Sequence, residues 1–188
     1  MIAIRFHGRG GQGAAISSYI LAEAIFRDGY EVQAFPMFGV ERRGAPVASF
    51  IRMDNKPIYV RCEVYEPDYV VVLDPTLIQA VDVTSGKKPG GFIMVNTDQP
   101  VEEIGIKGDF TTIPFDGTKI ALEYHLGTKV APIVNTVMMG AFAKSFGKIN
   151  IDNLLFAIKD NLPRKIADRN AEATKKAYDL APKIEYED

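Results

Sequence analysis

A glycine-rich turn between an apolar strand and an apolar-periodic helix constrains this chain more than any other feature. Residues 1–6 are short, apolar and strand-like, the run His7-Gly8-Arg9-Gly10-Gly11-Gln12-Gly13 follows, and helical periodicity begins near residue 13. Strand, tight turn and helix in that order open a βαβ unit, which sets the fold class as α/β. Glycine backbones reach positive φ and lie close to a ligand, while the unpaired N–H groups of a first helical turn point at negative charge. Two readings follow. Gly8, Gly10, Gly11 and Gly13 cradle a phosphate, with Arg9 as a fixed cation and Gln12 as an amide that both donates and accepts. Alternatively, the turn only packs the first helix against the sheet.

The spacing Gly8-x-Gly10-x-x-Gly13 also satisfies the dinucleotide fingerprint, but the acidic residue that should close the second strand and hold a ribose is missing. That strand, residues 31–35, runs into Pro36, and the acids Asp28 and Glu31 precede or open it. The phosphate part of the fingerprint is therefore kept and the ribose part dropped.

Downstream, residues 13–28 form the first helix and Gly29 stops it, giving a βαβ unit with residues 31–35. Residues 47–53 alternate as a strand, and the turn Asp54-Asn55-Lys56-Pro57 predicts a hairpin into residues 58–60. The β-branched runs 69–73 and 92–95 read as strands buried on both faces, with a weaker strand at 110–113 and a short helix at 76–81. Thr118 caps a helix reaching residue 124, and Asp152 caps another reaching about residue 160. Small and apolar residues surround the helix 135–146 on most sides, which buries it either in the core or against another subunit. Asn161 and Pro163 open a last helix towards residue 178, and an acidic tail closes the chain. The sum, residues 1–188, is one domain: a largely parallel sheet flanked by helices, with a β-hairpin insertion and a Rossmann-like glycine loop after the first strand.

Composition removes several function classes. With 22 basic against 24 acidic residues the net charge is −2, and no basic stripe or aromatic RNA-binding motif is present, so nucleic acid is not an expected partner. No apolar run is long enough to span a bilayer and the first residues enter a strand directly, so a cytoplasmic chain with no membrane partner is expected. Cys62 is the single cysteine, which excludes an internal disulfide and a four-thiolate iron-sulfur cluster held by this chain. His7 and His125 lie far apart without a carboxylate pattern, so no metal site is expected.

A second constellation follows the second strand and so emerges at the same sheet edge as the glycine loop. In Phe38-Gly39-Val40-Glu41-Arg42-Arg43-Gly44-Ala45-Pro46-Val47 two arginine forks can take phosphate while Glu41 orients one of them. The bland alternative is a Glu-Arg pair fixing a long surface loop. Together with Gln33-Ala34-Phe35-Pro36, Glu66-Pro67-Asp68, Val72-Leu73-Asp74-Pro75-Thr76-Leu77 and Pro132-Ile133-Val134-Asn135-Thr136, these blocks make the chain resemble the gamma subunit of 2-oxoacid:ferredoxin oxidoreductases over nearly its whole length. The Arg-Arg-Gly-Ala-Pro-Val block is most similar to the pyruvate and branched-chain members, pyruvate first.

The resemblance implies membership of a complex with alpha, beta and delta subunits that oxidatively decarboxylates a 2-oxoacid, captures the acyl group on coenzyme A and reduces ferredoxin, or runs in reverse as a synthase. It also implies that thiamine diphosphate and the iron-sulfur clusters sit in partner subunits, and that this chain carries no catalytic residue and is inactive alone. What it leaves to this chain is assembly and docking of coenzyme A, with Gly8, Arg9, Gly10, Gly11, Gln12, Gly13, Arg42 and Arg43 as candidate contacts. Asn135 and Thr136 are weaker candidates for the ligand or for an interface. A 2-oxoglutarate member of the family and a stand-alone Rossmann-type nucleotide-binding enzyme are the competing readings.

Overall fold

The computed structural model describes residues 1–37 and 44–184, and a six-stranded sheet lies at its centre. The apolar runs supply the strands β1 (Ile2–Arg9), β2 (Glu31–Pro36), β3 (Pro46–Asp54), β4 (Tyr69–Val72), β5 (Ile93–Asn96) and β6 (Thr112–Phe115). Their order is β2-β3-β1-β4-β5-β6. β4 runs parallel to β1, β5 to β4 and β6 to β5, while β3 is antiparallel to both β1 and β2. Only β3 therefore runs against the rest, and the largely parallel α/β sheet stands. All residues of β4 and β5 are buried, as expected of parallel strands covered on both faces.

The helices are α1 (Ala14–Arg27), α2 (Leu77–Ala80), α3 (Gly117–Glu123), α4 (Asn135–Phe146), α5 (Ile151–Asn161) and α6 (Arg164–Leu180). Ile4, Phe6, Ile51, Val71 and Met94 join side chains of α1, α4, α5 and α6 in the larger core. On the opposite face Val70, Val72, Ile93 and Val95 pack with Leu77 of α2, Val83 and Ile104, so short elements and irregular chain cover that side. Within the larger core Tyr69 stands edge-on to Phe92 and Phe146, with ring centroids 5.0 and 4.9 Å apart.

Two expectations change. The turn at 54–57 forms, with Lys56 N–H donating to Asp54 Oδ1 at 3.2 Å, but residues 58–60 do not become a strand. β3 is an interior strand whose two edges are already taken by β1 and β2, so the chain leaving the turn has no ladder to join. The antiparallel partner of β3 within the insertion is β2 instead, and Gln33 Nε2 donates to the Ile58 carbonyl. The same insertion separates the two parallel strands of the expected βαβ unit, β1 and β2, by one position.

Helix caps also shift. Asp116, not Thr118, caps α3 by accepting the Lys119 N–H at 2.8 Å, and Asn150, not Asp152, caps α5 by accepting the Asp152 N–H at 2.8 Å. In both cases an earlier side chain of capping type reaches the open amides first. Helix α4, expected in the core or at a subunit interface, lies in the core of this chain, packed by α1, α5 and α6. Gly140 permits the closest approach: a Cβ there would stand 2.2 Å from the Thr174 carbonyl oxygen of α6.

On the face away from the long helices, β1 and β3 bury polar side chains. Arg5 donates to the carbonyls of Val83 and Ser85 at 3.0 and 2.7 Å, and Arg52 donates to that of Glu63 at 2.9 Å, which ties the irregular cover to the sheet. Burial, with the Arg5 charge adding to it and Asp82 opposing, lowers the His7 pKa to about 3.

Two outcomes are expected. Replacing Gly140 by Ala forces α4 and α6 apart and costs about 1–3 kcal/mol in urea unfolding, the range for overpacking a closed core. Because His7 stays neutral in the folded chain down to pH about 3 while the unfolded chain takes up its proton near 6.5, stability falls as the pH drops through that window. A His7→Gln variant flattens this dependence when unfolding is followed from pH 7 to 4.

Candidate functional site

The glycine run sits at the carboxyl end of β1, beside the carboxyl ends of the parallel strands β4 and β5, where open α/β sheets place their ligands. Gly11 and Gly13 take φ of 93° and 81°, left-handed values that other residues adopt only under strain. Gly13 is the N-cap of α1, so no side chain caps this helix, and its first turn contains no acid. The amides of Gly11, Gly13 and Ala14 have no hydrogen-bond partner among the described residues. Free N–H groups at the positive end of a helix dipole favour an anion or a polarised oxygen.

Arg9 does not project freely into this loop. Its Nε donates to Asp74 Oδ2 at 3.0 Å, Nη1 to the Gly44 carbonyl at 3.0 Å and Nη2 to Thr76 Oγ1 at 2.7 Å. The Thr76 hydroxyl in turn donates to Asp74 Oδ1 at 2.6 Å. Gln12 closes the loop on itself: its Oε1 accepts the Arg9 N–H at 2.7 Å and its Nε2 donates to Asp74 Oδ2 at 3.0 Å. Arg9 and Gln12 thus fix the loop to the end of β4. Burial would raise the Asp74 carboxyl, but hydrogen bonds from Thr76 and Gln12 and the charge of Arg9 hold it below the ordinary carboxylate range.

The second constellation lies partly outside the described residues, since Glu41, Arg42 and Arg43 fall within 38–43. Its return is described and touches the glycine loop directly. Gly10 N–H donates to the Ala45 carbonyl at 2.8 Å and Gly44 N–H donates to the Gly10 carbonyl at 3.0 Å. The expectation that both loops share one sheet edge is met at this junction. Gly8, inside β1, makes room for the start of α1: a Cβ there would lie 3.2 Å from that of Ala14.

Three cavities meet at Gly11. One of about 240 Å³ reaches from Arg9 and Gly10 to Pro36 and Val47. A second, of about 340 Å³, runs over Leu73, Asp74, Asn96 and Thr118 at the ends of β4 and β5. A third, of about 190 Å³, lies between the loop and Leu126, Asn135, Ile166 and Arg169. Asn135, a weaker candidate from sequence, is thereby placed at the loop. Thr136 is not: its hydroxyl donates to Asn170 Oδ1 at 2.7 Å within the α4–α6 packing.

Sequence reasoning passed over Asp74 and Thr76 as site residues, although an acid ending an apolar strand was a visible signal. It also missed the small hairpin β7 (Gly127–Thr128) and β8 (Ala131–Pro132), since two-residue strands have no periodicity to detect. His125, which precedes it, takes φ of 54°, a left-handed value at the end of α3 where glycine is the usual occupant.

The family model for pyruvate ferredoxin/flavodoxin oxidoreductase matches residues 3–180. The "Pyruvate/ketoisovalerate oxidoreductases common subunit gamma" of Pyrococcus furiosus is 51% identical over 182 residues, covering 95% of this chain and 96% of its own. Among solved structures, the pyruvate oxidoreductase subunit PORC of Thermotoga maritima aligns with a TM-score of 0.79 and 34% identity over 95% of each chain. The 2-oxoglutarate:ferredoxin oxidoreductase of Magnetococcus marinus aligns with a TM-score of 0.75 and 24% identity, covering 96% of this chain and 31% of that one, and shares the fold.

Replacing Arg9 by Lys keeps the charge but not the three-way fork, and is expected to cost about 1 kcal/mol. Hydrogen exchange should then quicken at the Gly10 and Gly44 amides. Because the folded Asp74 pKa is depressed, its contribution is complete above the unfolded value of about 3.9 and lost as the pH falls through the folded value. Asp74→Asn removes that acid sensitivity, measurable as a smaller stability loss between pH 5 and 3.

Proposed function

Because the chain belongs to the pyruvate ferredoxin/flavodoxin oxidoreductase family and is a gamma-type subunit of a 2-oxoacid:ferredoxin oxidoreductase, we propose that it docks coenzyme A at the glycine-loop edge and joins the subunits that hold the redox cofactors. The observation that carries this reading is the set of amides at the start of α1 that have no partner among the described residues, bordered by the return of the segment that bears Arg42 and Arg43. The diphosphate and 3′-phosphate of the coenzyme need several anion contacts. Loop amides and two arginine forks supply that chemistry, while Arg9 holds the loop in place with three of its N–H groups engaged. The Magnetococcus marinus relative of this fold was solved with coenzyme A bound, which supports the choice of ligand.

Among the described residues no three His, Cys, Asp or Glu side chains are placed to hold a metal ion, and no helix is long and apolar enough to cross a membrane. We place thiamine diphosphate and the clusters in the alpha, beta and delta subunits, with ferredoxin as the electron acceptor and the cytoplasm as the compartment. Pyruvate is the first choice of 2-oxoacid. The Pyrococcus furiosus relative is named as common to pyruvate and ketoisovalerate enzymes, which supports leaving substrate choice to other subunits. The dinucleotide-enzyme reading loses ground, because β2 ends at the buried Pro36 with no acid at its described end.

In the reconstituted complex, Arg42→Ala and Arg43→Ala are each expected to raise the KM for coenzyme A by roughly tenfold or more, the loss of one charged hydrogen bond, with kcat for pyruvate little changed. Unchanged KM values in both variants would sink the docking role and leave a scaffold. An isolated chain with no activity towards any 2-oxoacid is expected alongside.

A further inference from the structure

The outward face of α1 departs from what a solvent-facing helix carries. Its exposed residues are Ile16, Tyr19, Phe26 and Arg27, and only the last is charged. Ile16 borders the cavities at the glycine loop, whereas Tyr19 and Phe26 line neither of them and are 49% and 65% exposed. Helix α5 packs beside α1 and adds Phe156, itself 49% exposed, with the Arg27 guanidinium 3.8 Å above its ring. Glu23, between Tyr19 and Phe26 on the same face, holds that guanidinium through Nε and Nη2 at 2.9 and 2.8 Å and accepts from Asn161 of α5. Helix α6 shows the contrast within one chain, since its outward face carries charges at Lys165, Asp168, Arg169, Glu172, Lys175 and Asp179.

A helix without a polar face belongs in an interior. Exposed aromatic rings gathered around an arginine have the composition of the centre of a protein interface rather than of open surface. The rim of this patch is acidic. Asp152 and Asp160 lie one helical turn before and after Phe156 on the same face of α5, both exposed, and Asp28 closes α1 against Asn153. The cations on these two helices are already engaged, Arg27 by Glu23 and Lys159 by Asp168 of α6 at 2.9 Å. Lys148 and Arg164 lie outside α5, before its start and after its end. This pattern decides between occupants. A second copy meeting the same patch about a twofold axis sets carboxylates against carboxylates. A different protein surface, apolar at its centre and edged by lysine or arginine, answers both the rings and the acids.

We propose that the α1–α5 face is the seat of another subunit of the complex, docked through an apolar patch with a basic rim. The proposal rests on the reading of this chain as an assembly subunit and deepens it, since it names the face and the chemistry of what covers it. Phe26 and Phe156 are the anchors, and Arg27 holds the second ring in place. Asp152 and Asp160 steer the incoming surface and set its register.

The test uses the complex assembled by co-expression, with a purification tag on a different subunit. Phe26→p-benzoylphenylalanine supplies a photo-crosslinker at an exposed position, and irradiation is expected to join it to another subunit, at a segment that carries lysine or arginine. Phe26→Asp, Phe156→Asp and the pair Asp152→Asn with Asp160→Lys are compared with the wild type for the dilution at which the chain leaves the complex. Each aromatic replacement is expected to raise that dissociation constant about tenfold or more. The acid pair is expected to raise it at low salt and to match the wild type at high salt, where the rim charges are screened. Amide exchange in β4 and β5 that matches the wild type shows an intact core, and the cross-link decides the matter should an Asp replacement disturb folding. Cross-linking to a second copy of this chain, no cross-link to any subunit, or unchanged retention of both aromatic variants overturns the docking face while membership of a complex stands. An acid pair without effect at low salt overturns the basic rim. A wild-type chain that co-purifies with no other subunit overturns the assembly reading itself.

Discussion

The fork of Arg9 is the constraint on which this sheet edge depends. One planar guanidinium at the end of β1 reaches the loop after β4 through Asp74 and Thr76 and the return of the β2–β3 connection through Gly44. Three segments separated by tens of residues are held by a side chain whose donors diverge in fixed directions, a task a single ammonium cannot perform. With Gln12 bonded to both Arg9 and Asp74, the loop has little freedom left, and its free amides keep one orientation. A loop ordered in this way would need no further ordering on meeting the ligand proposed for it. The arginine that sequence places in the cradle as a ligand contact thus acts first as the part that shapes the cradle.

Much of the fold was legible because its signals are local. The β-branched runs of β4 and β5, the Gly13 start of α1 and the small-residue helix α4 each follow from periodicity and from residues that only certain backbone states accept. The hairpin was misassigned because a turn signal such as Asp54-Asn55-Lys56-Pro57 says that the chain reverses but not which strand edge is vacant. That vacancy is decided by β1 and β2, which flank β3 from both sides. Caps failed by two residues for a similar reason: Asp116 and Asn150 compete with Thr118 and Asp152 for the same open amides, and only geometry shows which arrives first.

At the site, residues from the N-terminal loop and Asn135 at the start of α4 were visible, and those after α3 and on α6 were not. A Gly-rich turn announces itself by composition, whereas His125, Leu126, Ile166 and Arg169 share nothing in sequence and reach Asn135 only because α4 and α6 pack closely at Gly140. That packing brings the start of α4 beside the start of α1, so that Asn135 stands against Gly13, where a Cβ would lie 2.5 Å from its Nδ2. Gly13 therefore answers two demands at once. Its left-handed φ turns the chain into α1, and its missing side chain admits Asn135.

The distribution of unfavourable features argues that this edge is shaped for something other than stability. On the long-helix face the packing is economical: α4 is buried among α1, α5 and α6, and the sheet beneath it is covered. Around the glycine loop the chain instead keeps an unpaired Asn135 oxygen, uncapped amides on α1 and a non-glycine residue at positive φ in His125. Two are cheaply removed, by an apolar residue at 135 or glycine at 125, and each removal would be expected to stabilise the free chain, whereas a capping side chain at 13 is barred by the left-handed φ and by Asn135. These groups line one cavity, and a ligand docked there as proposed would turn them into partners; the other unpaired buried side-chain atoms among the described residues, Arg5 Nε, His7 Nε2 and Arg52 Nη1, sit in β1 and β3, where Arg5 and Arg52 already hold the irregular cover to the sheet.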